Sequence, residues 1–301
     1  MPLSRCGAVL RPRDGAERAT VSEIARRART NGVEAHQHRD GTLHVPGETV
    51  TDPVAFVHAL AGAAQGGGAE LRLGARVESL ERAGDGTWTL HTADGARGRA
   101  RVVVNCAGLY ADELARLAGD DVVGVHPRKG EFLVFALAPA ERPEQILLPV
   151  PTAMGKGVLV FPTLDGHVIA GPTARERDDK EDWTVEPDAV AQIIERAAPL
   201  HPALRHATPV AAYAGLRPAG RGVNYFIAPS PASPSLIHVA AIRSTGLSAS
   251  LGIAEHVAGL CQQAGLALAA PRELAPHAVT LTPVPPASPA WWERAMAHHG
   301  A

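Results

Sequence analysis

The chain has 301 residues, 46% of them apolar and 20% charged, with a formal net charge of −2. That length buries a large core and suits two domains. The near-neutral balance, with no basic run and no interleaving of aromatic and basic residues, argues against nucleic-acid binding, and no apolar run reaches the roughly 20 residues of a membrane-spanning helix.

Cys6, Cys106 and Cys261 have neither CxxC nor Cys/His ligand spacing. They read as free thiols in a reducing, cytoplasmic setting, with no metal site expected. No signal-peptide core opens the chain. Only Lys129, Lys156 and Lys180 are lysines, so nearly all positive charge is arginine.

In chain order, residues 6–10 form a short strand candidate. Thr20 or Ser22 caps a helix through Arg29, and Asn31-Gly32 ends it. Thr51-Asp52-Pro53 is a stronger helix start, a cap followed by proline in the first turn. Phe56, Val57, Leu60 and Ala64 form that helix's apolar stripe, and Gly66-Gly67-Gly68 stops it. From Glu70 the period changes to two, giving strands at 70–73, 76–81 and 87–91, the last two joined through Gly84-Asp85-Gly86. Asp94-Gly95 makes another turn.

The stretch 101–117, RVVVNCAGLYADELARL, organises the rest. Val102, Val103 and Val104 make a buried strand, Asn105-Cys106-Ala107-Gly108 a turn, and residues 110–117 a helix. Small residues at such a crossing allow close approach of the backbone, and the helix N-terminus offers N–H groups to an anion. Two readings stay open, a ligand-contacting turn or tight packing of the crossover. A Cys106 nucleophile is set aside, since a buried crossover with no base nearby favours an inert thiol.

Residues 121–234 differ in character, with strands at 131–136, 146–150, 158–161, 167–170 and 210–216 around one helix at 187–198. Turns and short strands predict a separate β-rich domain. The acidic cluster at 175–182, RERDDKED, reads as a solvated loop. An apolar strand returns at 236–241, and Ser244-Thr245-Gly246 leads into a helix at 247–265 with Leu247, Leu251, Ala254, Val257 and Leu260 near helical spacing. A Pro-rich tail follows Ala270, with Trp291 and Trp292 placed to pin its end.

In order and spacing, these pieces resemble the D-amino-acid-oxidase-like superfamily of FAD-dependent oxidoreductases, nearest the L-2-hydroxyglutarate dehydrogenase/oxidase and glycerol-3-phosphate dehydrogenase branch. The resemblance rests on Val50-Thr51-Asp52-Pro53, on Val103, Asn105, Ala107, Gly108, Tyr110, Ala111 and Asp112, and on Pro127-Arg128-Lys129-Gly130-Glu131. It continues through Pro149-Val150-Pro151-Thr152, Met154-Gly155-Lys156-Gly157-Val158, Gly171-Pro172-Thr173, Ala214-Gly215-Leu216-Arg217-Pro218 and Ser244-Thr245-Gly246-Leu247. It implies an α/β fold, a Rossmann-like FAD/NAD(P)-binding domain joined to a β-rich substrate domain. The implied division is 1–47 substrate domain, 48–120 FAD-binding, 121–234 substrate domain, 235–270 FAD-binding, and 271–301 tail.

The sequence departs from the family in one respect. It contains no GxGxxG fingerprint, the turn that opens a helix onto the FAD pyrophosphate, so the Rossmann-like domain reads as incomplete, its first βαβ unit missing. A late or split gene start, a second polypeptide supplying the unit, or a flavin-free protein would each explain this, and a truncated or split oxidoreductase is favoured.

The resemblance implies FAD as cofactor. Val77 would contact its adenine end, Ala107 and Gly108 would pass beneath the ribose and pyrophosphate, and Thr245, Gly246, Leu247 and Ser248 would aim a helix N-terminus at the flavin ring. The plain alternative for Thr245-Gly246 is an N-cap turn. Arg217, held by Pro218 after an apolar strand, would present a planar fork to a substrate carboxylate or phosphate; the alternative is a surface arginine. Lys156 and Arg243 would add charge to the same anion or lie solvated, and Arg128 and Lys129 read as structural. The implied reaction oxidises a small anionic 2-hydroxy acid such as L-2-hydroxyglutarate, or glycerol 3-phosphate, by hydride transfer from a CH–OH (or CH–NH2) carbon. No catalytic residue is assigned: His167, His201 and His238 remain as candidate bases only. The alternative is a flavin-free binding or regulatory subunit that keeps an anion pocket.

Overall fold

The structure is a computed structural model that describes residues 3–152 and 155–269. Met154 of the quoted motif and the tail 271–301, with Trp291 and Trp292, lie outside the described residues.

Helix α1 (Gly15–Thr30) begins earlier than the pattern predicts, because Asp14 is the cap and its carboxylate accepts from the Glu17 N–H at 2.8 Å. Helix α2 (Pro53–Gly66) starts as predicted: the Asp52 carboxylate accepts from the N–H groups of Val54 and Ala55. The expected stripe on α2 is not buried, however. No residue of α2 is buried, and Val57 is 50% exposed. Apart from His58 and Gln65 its side chains are apolar, and none of them is Asp, Glu, Lys or Arg, a pattern that ordinarily belongs to a covered helix.

Most strands join one nine-stranded sheet. Its order runs Arg175–Glu176, Val125–Phe135, Val168–Gly171, Leu159–Pro162, Ile146–Leu148, Ala8–Leu10, Leu43–Val45 and His36–Gln37, with Ala211–Gly220 paired along the other edge of Val125–Phe135. Residues near the N-terminus therefore complete the sheet built mainly by residues 125–220. Helix α4 (Ala189–Ala197) lays Ile193 and Ala197 on a core containing Leu133, Phe135, Val160 and Leu204. The 3.6-residue period of the helix meets the two-residue period of the strand there.

A second unit holds a three-stranded sheet ordered Phe226–Pro229, Leu236–Ala240 and Val103–Asn105, the last two parallel. Helix α3 (Ala111–Leu117) follows Val103–Asn105 through a short turn at Gly108–Tyr110, and α5 (Gly246–Gln263) follows Leu236–Ala240. A β-meander, Val77–Arg82, Trp88–Thr92 and Arg97–Ala100, packs on this sheet through Leu80, Trp88 and Leu236. The Trp88 indole N–H donates to the Ser235 hydroxyl at 2.9 Å. Residues 70–73 are not a strand, although they alternate. They lie beyond the meander's ladder, and Leu73 is 84% exposed, so alternation without a partner makes no strand.

The acidic cluster at 175–182 is the clearest correction. It is a clamp, not a solvated loop. Lys129 has no solvent exposure, and its ammonium donates to Asp182 at 2.7 Å and Glu186 at 3.2 Å. Two positions along the same face, buried Glu131 accepts from Arg175 at 3.0 Å, the Thr173 hydroxyl at 2.6 Å and the Glu186 N–H at 2.7 Å. Lys180 reaches across to Asp112 and Glu113 on α3, at 2.8 and 2.9 Å, tying the two units. Charges this deeply placed persist only when paired. Hydrogen bonds from Lys129 and Thr184 hold Asp182 down to about 2.

Lys129→Met is expected to lower stability by roughly 3 kcal/mol, the low end for breaking a buried pair because Asp182 and Glu186 retain some water. A denaturation midpoint equal to wild type would refute the clamp. Since Asp182 lies below its ordinary value of 3.8 in the folded chain, its contribution is complete above that pH and is lost as pH falls toward 2. Wild-type stability measured by urea titration should therefore fall below about pH 4, and more steeply than that of Lys129→Met.

Candidate functional site

Val103–Asn105 and Leu236–Ala240 run parallel in register, with Asn105 opposite His238. Their C-terminal ends release the two predicted turns, Asn105-Cys106-Ala107-Gly108 and Ser244-Thr245-Gly246, from one edge of the sheet. That edge is the usual binding crevice of parallel α/β sheets. Ala107 packs in one cluster with Ala240 and Ala241 at the end of the neighbouring strand.

A cavity of about 760 Å³ opens between the meander and α3, lined by Arg76, Val77, Glu78, Ala107, Tyr110, Glu113, Leu114 and Leu117. Val77 and Ala107, chosen separately from sequence, thus face one space. The meander register shifts between Val77 and Ser79, and such a bulge re-aims a side chain beside a site. The walls are apolar, while Arg76 and Glu113 face each other at 3.8 Å at the rim. Apolar walls with a polar rim suit a flat, hydrogen-bonding ring such as adenine. This is the fit of the present residues to the FAD implied by the sequence. Gly108 adopts φ +58°, the left-handed region that favours glycine.

The plain alternative for this turn, a side-chain cap by Thr245, is not what the structure has. Thr245 too is left-handed, at φ +66°, and its side chain makes no capping hydrogen bond to α5. Tyr225, also left-handed, donates its hydroxyl to the Ser244 carbonyl at 3.0 Å and lies 2.5 Å from the Thr245 hydroxyl. Gly246, Leu247 and Ser248 form the first turn of α5, with Leu247 exposed.

Arg217 lies inside the Ala211–Gly220 strand, not after it, because Pro218 is paired to Pro127 in an unbroken register. Its cross-strand partner is Arg128, which places both on the sheet face opposite Lys129 and Glu131. The Arg217 guanidinium donates from Nε to the Arg128 carbonyl (3.1 Å) and from Nη2 to the carbonyls of Lys129 (3.3 Å) and Thr173 (2.9 Å). Nη1 has no protein partner among the described residues. Arg128 is neutralised by Glu176 at 2.8 Å, but no carboxylate pairs with Arg217 among the described residues. Burial first, then repulsion from Arg128 and Arg243, pulls Arg217 down to about 10. It stays charged at neutral pH and is positioned by carbonyls. Gly130 makes room for it: a Cβ there would meet Nη2 at 3.1 Å and Cζ at 3.2 Å.

Arg243 is exposed but close enough to repel Arg217. Lys156 is exposed beside a tight turn closed by Thr152 and Gly155, and makes no hydrogen bond or ion pair among the described residues. Nothing in the structure brings it to Arg217.

The three histidines are committed elsewhere. The His201 ring bonds to the Glu141 carbonyl at 2.7 Å, His167 pairs with Asp165 at 3.3 Å in a turn, and His238 is sealed in the core. Cys106 is exposed rather than buried in the crossover, and partial desolvation holds its thiol above the ordinary value, which still argues against a nucleophile. The sequence motif contains Gly130 without assigning it a role and leaves out the stacked pair Phe132–Tyr213, 5.1 Å apart on the Arg217 face. The period-two pattern around Arg128 could have found both; Tyr225 carried no signal.

The DAO family profile, described as FAD dependent oxidoreductase, matches residues 2–260. The chain is 26% identical to the glycerol 3-phosphate dehydrogenase of Caloramator mitchellensis over 85% of its own length and 56% of that protein. It is 30% identical to the glycerol 3-phosphate oxidase of Mycoplasma pneumoniae, over 70% of this chain and 56% of that one. The solved, dithionite-reduced, FAD-bound L-alpha-glycerophosphate oxidase of Mycoplasma pneumoniae superposes with a TM-score of 0.78 at 24% identity, covering 87% of this chain and 74% of that chain. The chain thus spans a little over half the length of the curated relatives it matches.

A bound anion is expected to stabilise the protein by mass action, about 2.7 kcal/mol at 100 times its dissociation constant. Phosphate and malonate should therefore raise the wild-type melting temperature and leave Arg217→Met unmoved. An equal shift in both proteins would remove Arg217 from anion binding.

Proposed function

The chain belongs to the DAO family of FAD-dependent oxidoreductases, and on that premise we propose that it oxidises a small anionic alcohol, a 2-hydroxy acid such as L-2-hydroxyglutarate or the phosphate ester glycerol 3-phosphate. The observation that carries this reading is Arg217, a half-buried cation hydrogen-bonded to three carbonyls and, among the described residues, ion-paired to no carboxylate, its neighbour Glu176 being engaged by Arg128. Carbonyls orient a guanidinium without neutralising it, so the charge remains for a substrate.

FAD, when bound, supplies the hydride acceptor. Val77, Ala107, Tyr110 and Leu114 would wall its adenine ring, Gly108 would let the backbone pass close to the ribose, and Gly246, Leu247 and Ser248 would direct the N-terminal dipole of α5 at the flavin ring. Arg217 would hold the substrate anion, with Arg243 adding positive charge to the approach. Phe132 and Tyr213 would give an apolar floor on the same sheet face, excluding water beside the bound anion.

The apolar flank has a place in the same reading. Val54, Val57 and Leu60 on α2, with Leu71 and Leu73, are exposed, and Val104 is 38% exposed on the outer strand of the parallel sheet. A glycine-rich dinucleotide-binding unit, from a second polypeptide or from sequence flanking these residues, would cover α2 and add a parallel strand.

Reconstitution tests the reading. Protein incubated with FAD and desalted should keep the flavin absorption bands. Anaerobic addition of L-2-hydroxyglutarate or glycerol 3-phosphate should bleach them, and Arg217→Ala should raise the concentration needed by about 2–4 kcal/mol in affinity. A colourless protein that still takes up malonate would favour the flavin-free binding subunit instead.

A further inference from the structure

We propose that His238 is a positioning residue for the turn that walls the cavity, acting through Asn105, whose amide it holds in one orientation. The inference rests on the cofactor reading above for its functional meaning. His238, Asn105 and Asp120 are 0%, 1% and 4% exposed, and His238 is not among the residues that line the cavity.

The argument runs from donors and acceptors. Asn105 Oδ1 accepts from the Ala107 N–H at 3.2 Å, and Nδ2 donates to the Ala111 carbonyl at 2.8 Å. A backbone N–H can only donate and a carbonyl can only accept, so these two bonds fix which end of the amide is oxygen. The remaining Nδ2 proton then points at His238 Nδ1, 3.1 Å away, which must accept. The ring proton therefore sits on Nε2 and is donated to Asp120 Oδ2 at 3.0 Å. Asp120 is desolvated, but hydrogen bonds from Ser230, His238 and the Val122 N–H outweigh that and keep it ionised. Phe226 closes the last side of the imidazole, its ring centroid 6.1 Å away.

Every atom of the chain Asp120–His238–Asn105 thus has one role. Its far end staples Ala107 to Ala111, the segment that delivers Ala107 and Tyr110 to the cavity. Loss of the imidazole acceptor frees the Asn105 amide to turn, and the staple with it.

The test uses the full chain. In wild type, nitrogen-15 NMR of His238 should show one protonated ring nitrogen, Nε2. Asn105→Asp places a carboxylate at each ring nitrogen, so both should be protonated; in His238→Ala, where the acceptor that orients the amide is gone, hydrogen exchange at the Ala107 amide should speed up. FAD and ADP affinity should fall about tenfold in Asn105→Asp and His238→Ala, the loss of roughly one hydrogen bond, measured well below the melting temperature. A merely structural role would lower the melting temperature and leave affinity and the Ala107 exchange rate alone. Should His238→Ala not fold, His238→Phe, which removes the acceptor and keeps a ring in the core, and the wild-type spectrum decide. A proton on Nδ1 in wild type, or unchanged Ala107 exchange in the folded His238 variant, overturns the proposal. Wild-type protein that binds neither FAD nor ADP would defeat the cofactor reading instead, and the Ala107 exchange result would still decide the positioning role.

Discussion

Lys129 sits where no lysine can remain unpaired. With its side chain fully removed from water, the ammonium needs counter-charges brought to it, and among the described residues Asp182 and Glu186 bring them. That requirement folds a charged segment back over the Val125–Phe135 strand and leads it into α4. From the same segment Lys180 reaches α3, so the wide sheet and the parallel sheet are held in one relation. The position of the cavity wall on α3 relative to the Arg217 face follows from this pairing.

Side-chain alternation along that one strand separates structure from chemistry. Lys129 and Glu131 point to the covered face, where Asp182, Glu186 and Arg175 neutralise them. Arg128 points to the other face and is neutralised by Glu176. Arg217, across the ladder from Arg128, has carbonyls in place of a carboxylate. Three of these four charges have an oppositely charged partner within the protein, and the fourth, among the described residues, has only carbonyl acceptors. A surface arginine would have a repaired or solvated charge, whereas burial and two neighbouring arginines depress this one.

How much of this was legible in the sequence depends on the range of the interaction. Local chemistry read well in part: Asp52 before Pro53 fixes the start of α2, and the three valines before Asn105 mark the strand ending in the cavity turn, but that strand lies at the sheet edge with Val104 exposed, not buried as the apolar run predicts. Alternation at 70–73 misled, because a strand needs a partner that the pattern cannot supply. The acidic run misled for the converse reason. Its partners Lys129 and Asp112 lie tens of residues away, and composition alone assigns such a run to solvent. Arg217 was legible as a candidate because Pro218 follows it; its environment of carbonyls was not, since Thr173 and Lys129 reach it only through the sheet.

The histidines show why position in the fold outranks residue type. Judged by chemistry, His238 is one of three candidate bases, an imidazole on the strand that leads to the Ser244-Thr245-Gly246 turn. Burial reverses that judgment. Both ring nitrogens are engaged, one by Asn105 and the other by Asp120, so the imidazole has no lone pair to offer a substrate. The two bonds that silence it chemically also fix the amide that staples residues 107 to 111. Buried and fully paired, the network holds the turn because any other arrangement would leave one of its polar groups unpaired away from water.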